Sequence, residues 1–557
     1  MNPFLATDGY KTGHHLMYPQ NTTLVYSNFT PRNLKHAPKG VTSVISFGQQ
    51  MVMKQIKEMF DDNFFYTKNR GSEHDEYLKE TVCGEIKREY SMYLGTDYDV
   101  SHIEALWDLG YLPIKVKALP EGTSVPIGVP VLTIYNTKPE FYWVTNFLET
   151  LISNLLWKPM TSATIAHQYK KNLTNWVRKT DKASEGFVNF QGHDFSMRGM
   201  DSVEATISSG LGHATSFMGS DSLPVIYGAR KYYNEKDFVV GSVNATEHSV
   251  MCAGDRGGEL ETFRYLMKQF PNGILSIVSD TWDLWKVITE YLPILKDEIL
   301  KRDGKIVIRP DSGNPVDIIC GDVTVVETEN SLPDFETDTY YVKETGKYYE
   351  TETWGNHNRE YGWKEVNPTP QNIGVIELLW DLFGGTINDQ GYKVLDSHIG
   401  AIYGDAITVE RAEQICERLE VKGFASTNIV LGIGSFTYQF NTRDTFGFAM
   451  KATYVELTRE LIDSNVYVDG IHNEIVGREI FKDPITDGGG KKSAKGLLTV
   501  EKQYGGNFSN SKGDYVLYDQ VSWEHENKGF LETIFMDGVF YNETTLTEIR
   551  NKLNTIV

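Results

Sequence analysis

The chain has 557 residues, of which 40% are hydrophobic and 23% charged. That balance excludes a mainly disordered or fibrous polymer. With 54 Lys and Arg against 75 Asp and Glu, the formal charge is −21, so the chain is a poor general binder of nucleic acid or anionic membrane. An anionic substrate must therefore be met by a local basic cluster.

The N-terminus shows neither a basic n-region nor an apolar h-region, so no secretory signal is expected. No run of about 18 apolar residues is present. The four cysteines (Cys83, Cys252, Cys320, Cys416) lie far apart with no C-x-x-C pair, which points to a reducing compartment. A cytoplasmic protein is the expectation. Strands are predicted over 23–29, 42–47, 112–118 and 131–135, and a helix over 49–60. This mixture reads as a mixed α+β segment over 1–150. The stretch 141–157 is interrupted by Asn146, Glu149, Thr150 and Asn154 and predicts a largely buried amphipathic helix.

From about residue 185 the rhythm changes. Apolar runs over 274–280, 305–311, 399–405 and 427–434 end in polar residues, and helices are predicted over 281–301 and 408–420. Such strand-helix units imply a parallel sheet covered on both faces. A (β/α) barrel places its chemistry at the C-terminal strand ends; an open doubly wound sheet is the alternative. The barrel is assigned to 151–440. Residues 321–372 break its rhythm with alternating polar and aromatic residues around a Thr-Gly turn, read as a surface β-hairpin insertion. Residues 441–557 return to strands and loops. Within them, 487–496 is a Gly-rich basic loop, either simply solvated or a mobile phosphate clamp.

Several strand ends carry candidate chemistry. In Arg309-Pro-Asp-Ser-Gly-Asn-Pro315, Arg309 offers a forked donor set for phosphate and Asp311 a ligand for Mg²⁺; a plain helix-capping turn reads the same letters. Gly404-Asp405 and Gly432-Ile-Gly434-Ser435 are Gly-rich turns whose amides suit phosphate, although ordinary turns also use Gly. Neither a P-loop nor a dinucleotide fingerprint is present. His248, in Thr246-Glu-His-Ser249, reads by itself more readily as a structural or exposed histidine than as a catalytic one. Phe195 reads more readily as core, and Asp221 can be read simply as a helix cap.

Taken together, Ala6-Thr-Asp-Gly-Tyr10-Lys11, His193-Asp-Phe-Ser-Met-Arg198-Gly199, Gly219-Ser-Asp221, Glu247-His-Ser249, Val278-Ser-Asp280, Ile308 to Pro315, Tyr403-Gly-Asp405 and Phe481-Lys-Asp-Pro484 closely resemble the nicotinamide phosphoribosyltransferase family. The likeness runs from residue 4 to about 550, apart from the insertion. It implies the type II phosphoribosyltransferase fold: an irregular α/β barrel plus a mixed α+β domain built from both chain ends. It implies formation of nicotinamide mononucleotide and pyrophosphate from nicotinamide and phosphoribosyl pyrophosphate, with Mg²⁺, in a homodimer with shared active sites.

The resemblance also implies roles. Phe195 would stack on one face of the nicotinamide and Tyr10 of a second subunit on the other, while Asp221 accepts from the carboxamide. Arg32, Arg198, Arg309, Arg443, Lys451 and Lys491 would contact phosphate or pyrophosphate. Gly404, Asp405, Gly434 and Ser435 would line the ribose and 5′-phosphate pocket. Asp280 and Asp311 would face Mg²⁺. His248 would be phosphorylated by ATP as a stimulating co-substrate, its tautomer held by Asp280.

Three departures from the family pattern stand out: the insertion, a loop at 432–436 with fewer glycines, and Gly400 where an Arg often stands. The nearest rival is a nicotinate phosphoribosyltransferase of the same fold, against which Asp221 argues, because a carboxylate repels an acid substrate. A barrel glycosidase using Asp311 and Asp405, or a non-catalytic binding protein, are rivals of other classes.

Overall fold

The structure is a computed structural model that describes residues 1–67, 71, 75–332, 338–354, 360–404, 407–462, 471–484, 493–503 and 514–557. The chain forms two compact units. One comprises 1–164, 227–237 and 441–556; the other comprises 165–226, 238–440 and residue 557. The boundary at 164/165 falls inside the helix Glu149–Thr180. The segment 227–237, assigned from sequence to the barrel, is part of the first unit. Side chains fix it there: Tyr233 donates to Glu121 at 2.9 Å and Gln50 to the Tyr232 carbonyl at 2.7 Å.

In the first unit a seven-stranded antiparallel sheet runs in the order Ile471–Glu479, Ala449–Ile462, Thr22–Thr30, Leu132–Asn136, Ile114–Ala118, Glu532–Met536, Val539–Phe540. Both chain ends therefore contribute strands to one sheet, as the family resemblance implied. Phe4 packs with Phe60, Phe64, Trp143 and Phe147. That aromatic core ties the N-terminus to the helix Gln49–Asn63.

The second unit is built on parallel strands β1 (Gly192–Asp194), β2 (Gly219–Ser220), β3 (Asn244–Ala245), β4 (Asn272–Val278), β5 (Asp303–Arg309), β6 (Ile399–Tyr403) and β7 (Ile429–Ile433). Their spatial order is β2-β1-β7-β6-β5-β4-β3. A parallel bridge from Gly219 in β2 to Gly241, just ahead of β3, joins the two edges. The sheet thus curls on itself as an irregular α/β barrel and not as an open doubly wound sheet.

The two-residue period of a strand explains how the barrel is both packed and hollow. In β5, Ile306 and Ile308 are fully buried in the core against the helices, whereas Lys305, Val307 and Arg309 line an interior cavity. In β4, Leu275 and Ile277 face the core, and Ile274 and Ser276 the cavity. The covering helix Val409–Val421 is N-capped by Thr408, and its Val409, Ala412, Ile415, Cys416 and Leu419 are buried at helical spacing.

The helix expected over 281–301 starts later, at Leu284, because Asp283 caps it by accepting from the Lys286 amide; it runs through a π-turn at Val287–Tyr291 to Leu300. The stretch 141–157 is divided between the helices Tyr142–Phe147 and Glu149–Thr180. The insertion is larger than a hairpin. Thr324–Val326, Tyr340–Val342, Lys347–Trp354 and Glu360–Glu365 make a four-stranded sheet, its first pair parallel and the others antiparallel. Among the described residues no helix is long and apolar enough to cross a membrane.

Candidate active site

Every barrel strand delivers a candidate residue at its C-terminal end. Phe195 follows β1, Asp221 follows β2, and His248 lies three residues beyond β3. Asp280 follows β4, Arg309 closes β5 with Asp311 just after it, Gly404 follows β6, and Gly434 and Ser435 follow β7. Parallel strands point one way, so residues scattered over some 240 positions meet at one end of the barrel, where such folds place their chemistry.

Phe195, Asp221 and Arg309 line one cavity of about 500 Å³ together with His193, Ser242 and Ser276. Asp194 sets the local backbone. It is fully buried, its carboxylate accepts from the Ser196 amide at 2.9 Å, and its carbonyl accepts from the Asp221 amide at 2.9 Å. Asp221 Oδ1 receives two side-chain donors, His193 Nε2 at 2.9 Å and the Ser242 hydroxyl. Burial pushes the Asp221 carboxyl up, but the His193 and Ser242 hydrogen bonds and the charge of Arg309 outweigh it and hold it below the usual carboxylate range. Phe195 lies against β7: a Cβ at Gly432 would sit 2.7 Å from its ring. Glycine there lets the aromatic plane approach the strand.

Arg309 donates to the Thr246 carbonyl, and its Nε is buried without a partner among the described residues. Burial lowers its pKa, with Asp311, Asp221 and Asp280 opposing and Arg198 adding to the fall. Arg198 thus belongs to the same electrostatic group. Next to Arg198, Gly199 approaches Ser435 so closely that a Cβ would lie 2.1 Å from its hydroxyl. A Cβ at Gly404 would lie 2.5 Å from Asp311 Oδ1.

His248 sits between acids. Its Nε2 is 3.7 Å from Asp311 Oδ2 and 3.9 Å from Asp280 Oδ1, and its Nδ1 is 3.1 Å from the Thr281 hydroxyl. Asp280 is therefore not the hydrogen-bond partner that orients the imidazole; Thr281 is. Asp280 Oδ2 instead accepts from the Asp311 amide at 2.7 Å and the Ser312 hydroxyl at 2.6 Å. Its Oδ1 is buried with no hydrogen-bond partner among the described residues.

The first unit carries its own cations. Arg32 donates to the Gly447 carbonyl at 2.7 Å. Burial lowers its pKa, and Arg443 lowers it further. Burial likewise lowers that of Lys451; Glu149 opposes this, while Arg32, Lys482 and Lys11 add to it. In a chain of charge −21, this mutual repulsion marks a real concentration of positive charge. Tyr10 is 63% exposed on this unit. Asp405 and Lys491 lie outside the described residues.

Sequence reasoning gave no role to His193, Ser242, Thr281 or Lys482. His193 and Lys482 stood inside quoted motifs. Ser242 and Thr281 have no local signal, since their partners are 21 and 33 residues away.

A model described as the nicotinate phosphoribosyltransferase (NAPRTase) family matches residues 190–512. The chain is 45% identical to a nicotinamide phosphoribosyltransferase of Acinetobacter baylyi, covering 99% of this chain and 97% of that protein. It is 34% identical to one of Mycoplasma pneumoniae (81% and 89% covered) and 31% identical to one of Mycoplasma genitalium (89% and 96%). With the barrel, the strand-end residues and these likenesses in agreement, the chain belongs to the nicotinate phosphoribosyltransferase family.

Proposed function

We propose that the chain transfers the phosphoribosyl group of phosphoribosyl pyrophosphate to the ring nitrogen of nicotinamide, giving nicotinamide mononucleotide and pyrophosphate for NAD salvage. The observation that carries this reading is the ionised Asp221 beside Phe195 and Arg309 in one cavity. Phe195 stacks on the pyridine face, and Asp221 accepts a hydrogen bond from the amide N–H₂. A carboxylate at the same place repels nicotinate, and such a like-charge contact costs several kcal/mol.

In the transfer, the C1–oxygen bond to pyrophosphate breaks and the nitrogen–C1 bond forms. Charge grows on the leaving group while the sugar becomes cationic. Arg309 and Arg198 stabilise the anionic side of that transition state. Gly404, Gly434 and Ser435 line the ribose and 5′-phosphate pocket, with Asp405 assigned to the same pocket by resemblance. Arg32, Arg443, Lys451 and Lys491 bind phosphate or pyrophosphate.

The acids suit Mg²⁺. Asp280 Oδ1 has no hydrogen-bond partner among the described residues, and it and Asp311 Oδ2 lie near the same imidazole. Among the described residues no group of three or more ligating side chains could by itself hold a metal. That fits a cation held by one or two carboxylates and completed by substrate phosphates. When bound there it supplies positive charge to the departing pyrophosphate.

His248 accepts the γ-phosphoryl group of ATP on a ring nitrogen, releasing ADP, and water later removes it as phosphate. Its half-exposed imidazole, set between Thr281 and two carboxylates, supports this role. The exposed Tyr10 supports a homodimer in which Tyr10 of a second copy covers the other face of the nicotinamide.

The name of the matching family favours a second reading, with nicotinate as the base. Measuring pyrophosphate release with nicotinamide or nicotinate, each with and without ATP and Mg²⁺, decides between them. Turnover confined to nicotinamide and raised by ATP is expected. Equal rates with the two bases would defeat the argument from Asp221.

A further inference from the structure

We infer that His193 is a specificity-determining positioning residue, whose imidazole fixes which oxygen of Asp221 faces the ligand and braces the ring of Phe195. The inference rests on the nicotinamide reading above and deepens it.

His193 is the central residue of β1, paired with Gly432 of β7 on one side and Gly219 of β2 on the other. The glycine on the β2 side gives the imidazole room: a Cβ at Gly219 would lie 2.7 Å from its Nδ1. The side chain is 11% exposed and lines the cavity. It touches both groups proposed to recognise the base. Nε2 is 2.9 Å from Asp221 Oδ1, and the ring centroid is 4.7 Å from that of Phe195 at 40°.

The carboxylate partner assigns the proton to Nε2, because an acceptor there would face Oδ1 lone pair to lone pair. Ser242 donates to the same oxygen. Both side-chain donors therefore converge on Oδ1, and among the described residues none reaches Oδ2. The recognition oxygen is left for the ligand. Without the imidazole, no side chain on β1 holds the Asp221 carboxylate edge-on to a ring stacked on Phe195, and a rotated carboxylate neither accepts from the amide nor opposes an acid.

A histidine that merely fills space is replaceable by another flat ring, whereas a positioning histidine is replaceable by another donor. His193→Phe keeps a ring against Phe195 and removes the donor; His193→Gln keeps an N–H donor and removes the ring. Initial rates with nicotinamide and with nicotinate give kcat and KM for each variant. His193→Phe is expected to raise the nicotinamide KM roughly tenfold, with a smaller change in kcat, and to lower the nicotinamide-to-nicotinate ratio of kcat/KM by a similar factor, the typical effect of losing a hydrogen bond to a charged group. His193→Gln is expected to recover most of both.

A His193→Phe enzyme with unchanged KM and ratio overturns the inference. So does a His193→Gln enzyme as impaired as His193→Phe, since the role is then packing. If His193→Phe does not fold, His193→Leu removes the donor in its place: a ratio reduced in His193→Leu and recovered in His193→Gln supports positioning through Oδ1, and an unchanged ratio overturns it. Wild-type enzyme that prefers nicotinate overturns the functional reading and this inference with it, whereas wild-type enzyme that prefers nicotinamide beside an unmoved variant overturns the inference alone.

Discussion

At Asp221 two effects oppose each other. Burial favours the neutral acid, while the donors from His193 and Ser242 and the charge of Arg309 favour the carboxylate and prevail. A depressed carboxyl pKa means that the charge, and the stability its hydrogen bonds add, are present above the ordinary aspartate value and are lost only as pH falls through the lowered one. Discrimination between amide and acid should therefore hold across neutral and mildly acidic pH. Asp221→Ala is expected to cut the nicotinamide-to-nicotinate ratio of kcat/KM by about tenfold or more. Competition kinetics with both bases checks this, and unchanged selectivity would count against the assignment. Crowding constrains the neighbours as much as charge does. Gly404 cannot gain a side chain without displacing Asp311, so packing requires glycine at that position.

Helix termini show where an element carries a cost that nearby groups do not offset. Glu259 opens the helix Glu259–Gln269, is 2% exposed, and leaves Oε1 without a partner among the described residues. Burial, with Asp283 nearby, raises its carboxyl from 4.5 to about 7. The folded state then holds a proton that the unfolded chain releases at lower pH. For this group, stability falls as pH rises from about 4.5 to about 7 and is flat above that. Glu259→Gln should abolish that slope and stabilise the protein near pH 8 by about 1–3 kcal/mol, the usual cost of a buried unsatisfied polar group. Urea denaturation at pH 5 and pH 8 checks it: the variant's gain should be present at pH 8 and largely absent at pH 5. The loop before Leu284 illustrates the reverse case. Because Asp283 starts the helix late, Thr281 stays outside it and is placed to meet His248.

On the scale of the molecule, the inserted sheet and the strand-end site occupy different parts of the second unit. Lys422, just past the helix Val409–Val421, donates to Glu377 at 2.8 Å, to the Tyr348 hydroxyl at 3.1 Å and to the Ile373 carbonyl at 2.8 Å. Tyr341 and Tyr348 flank its ammonium, and Val421 joins their small apolar core. That helix starts beyond the C-terminal end of β6 and returns to the start of β7, so its last turn lies at the end of the barrel away from His248 and Asp221. Lys422→Met leaves Glu377 half-buried without its cation and should destabilise the barrel unit by about 3 kcal/mol. kcat and KM at 25 °C should stay within about twofold of wild type, a change too small to indicate lost transition-state contacts. Thermal unfolding followed beside initial rates tests both halves. Loss of turnover in a folded variant would tie the insertion to the site.

The sequence by itself determined the strand-helix rhythm of 274–434, the capped helix after Thr408 and the family likeness, because each is written in local spacing and in short motifs at strand ends. Arg309 and Asp311 were legible at the end of a predicted strand, whereas Phe195, Asp221 and His248 follow strands of two or three residues that local spacing did not reveal and were reached only through the family likeness. Tertiary structure alone decided the rest. The partnership of Asp221 with His193 and Ser242, the meeting of His248 with Thr281, the four-stranded form of the insertion and the place of 227–237 in the first unit all depend on contacts between distant residues. No periodicity or local propensity encodes such contacts, since a side chain's partner is fixed by which strands lie side by side, and that is settled only when the whole barrel closes.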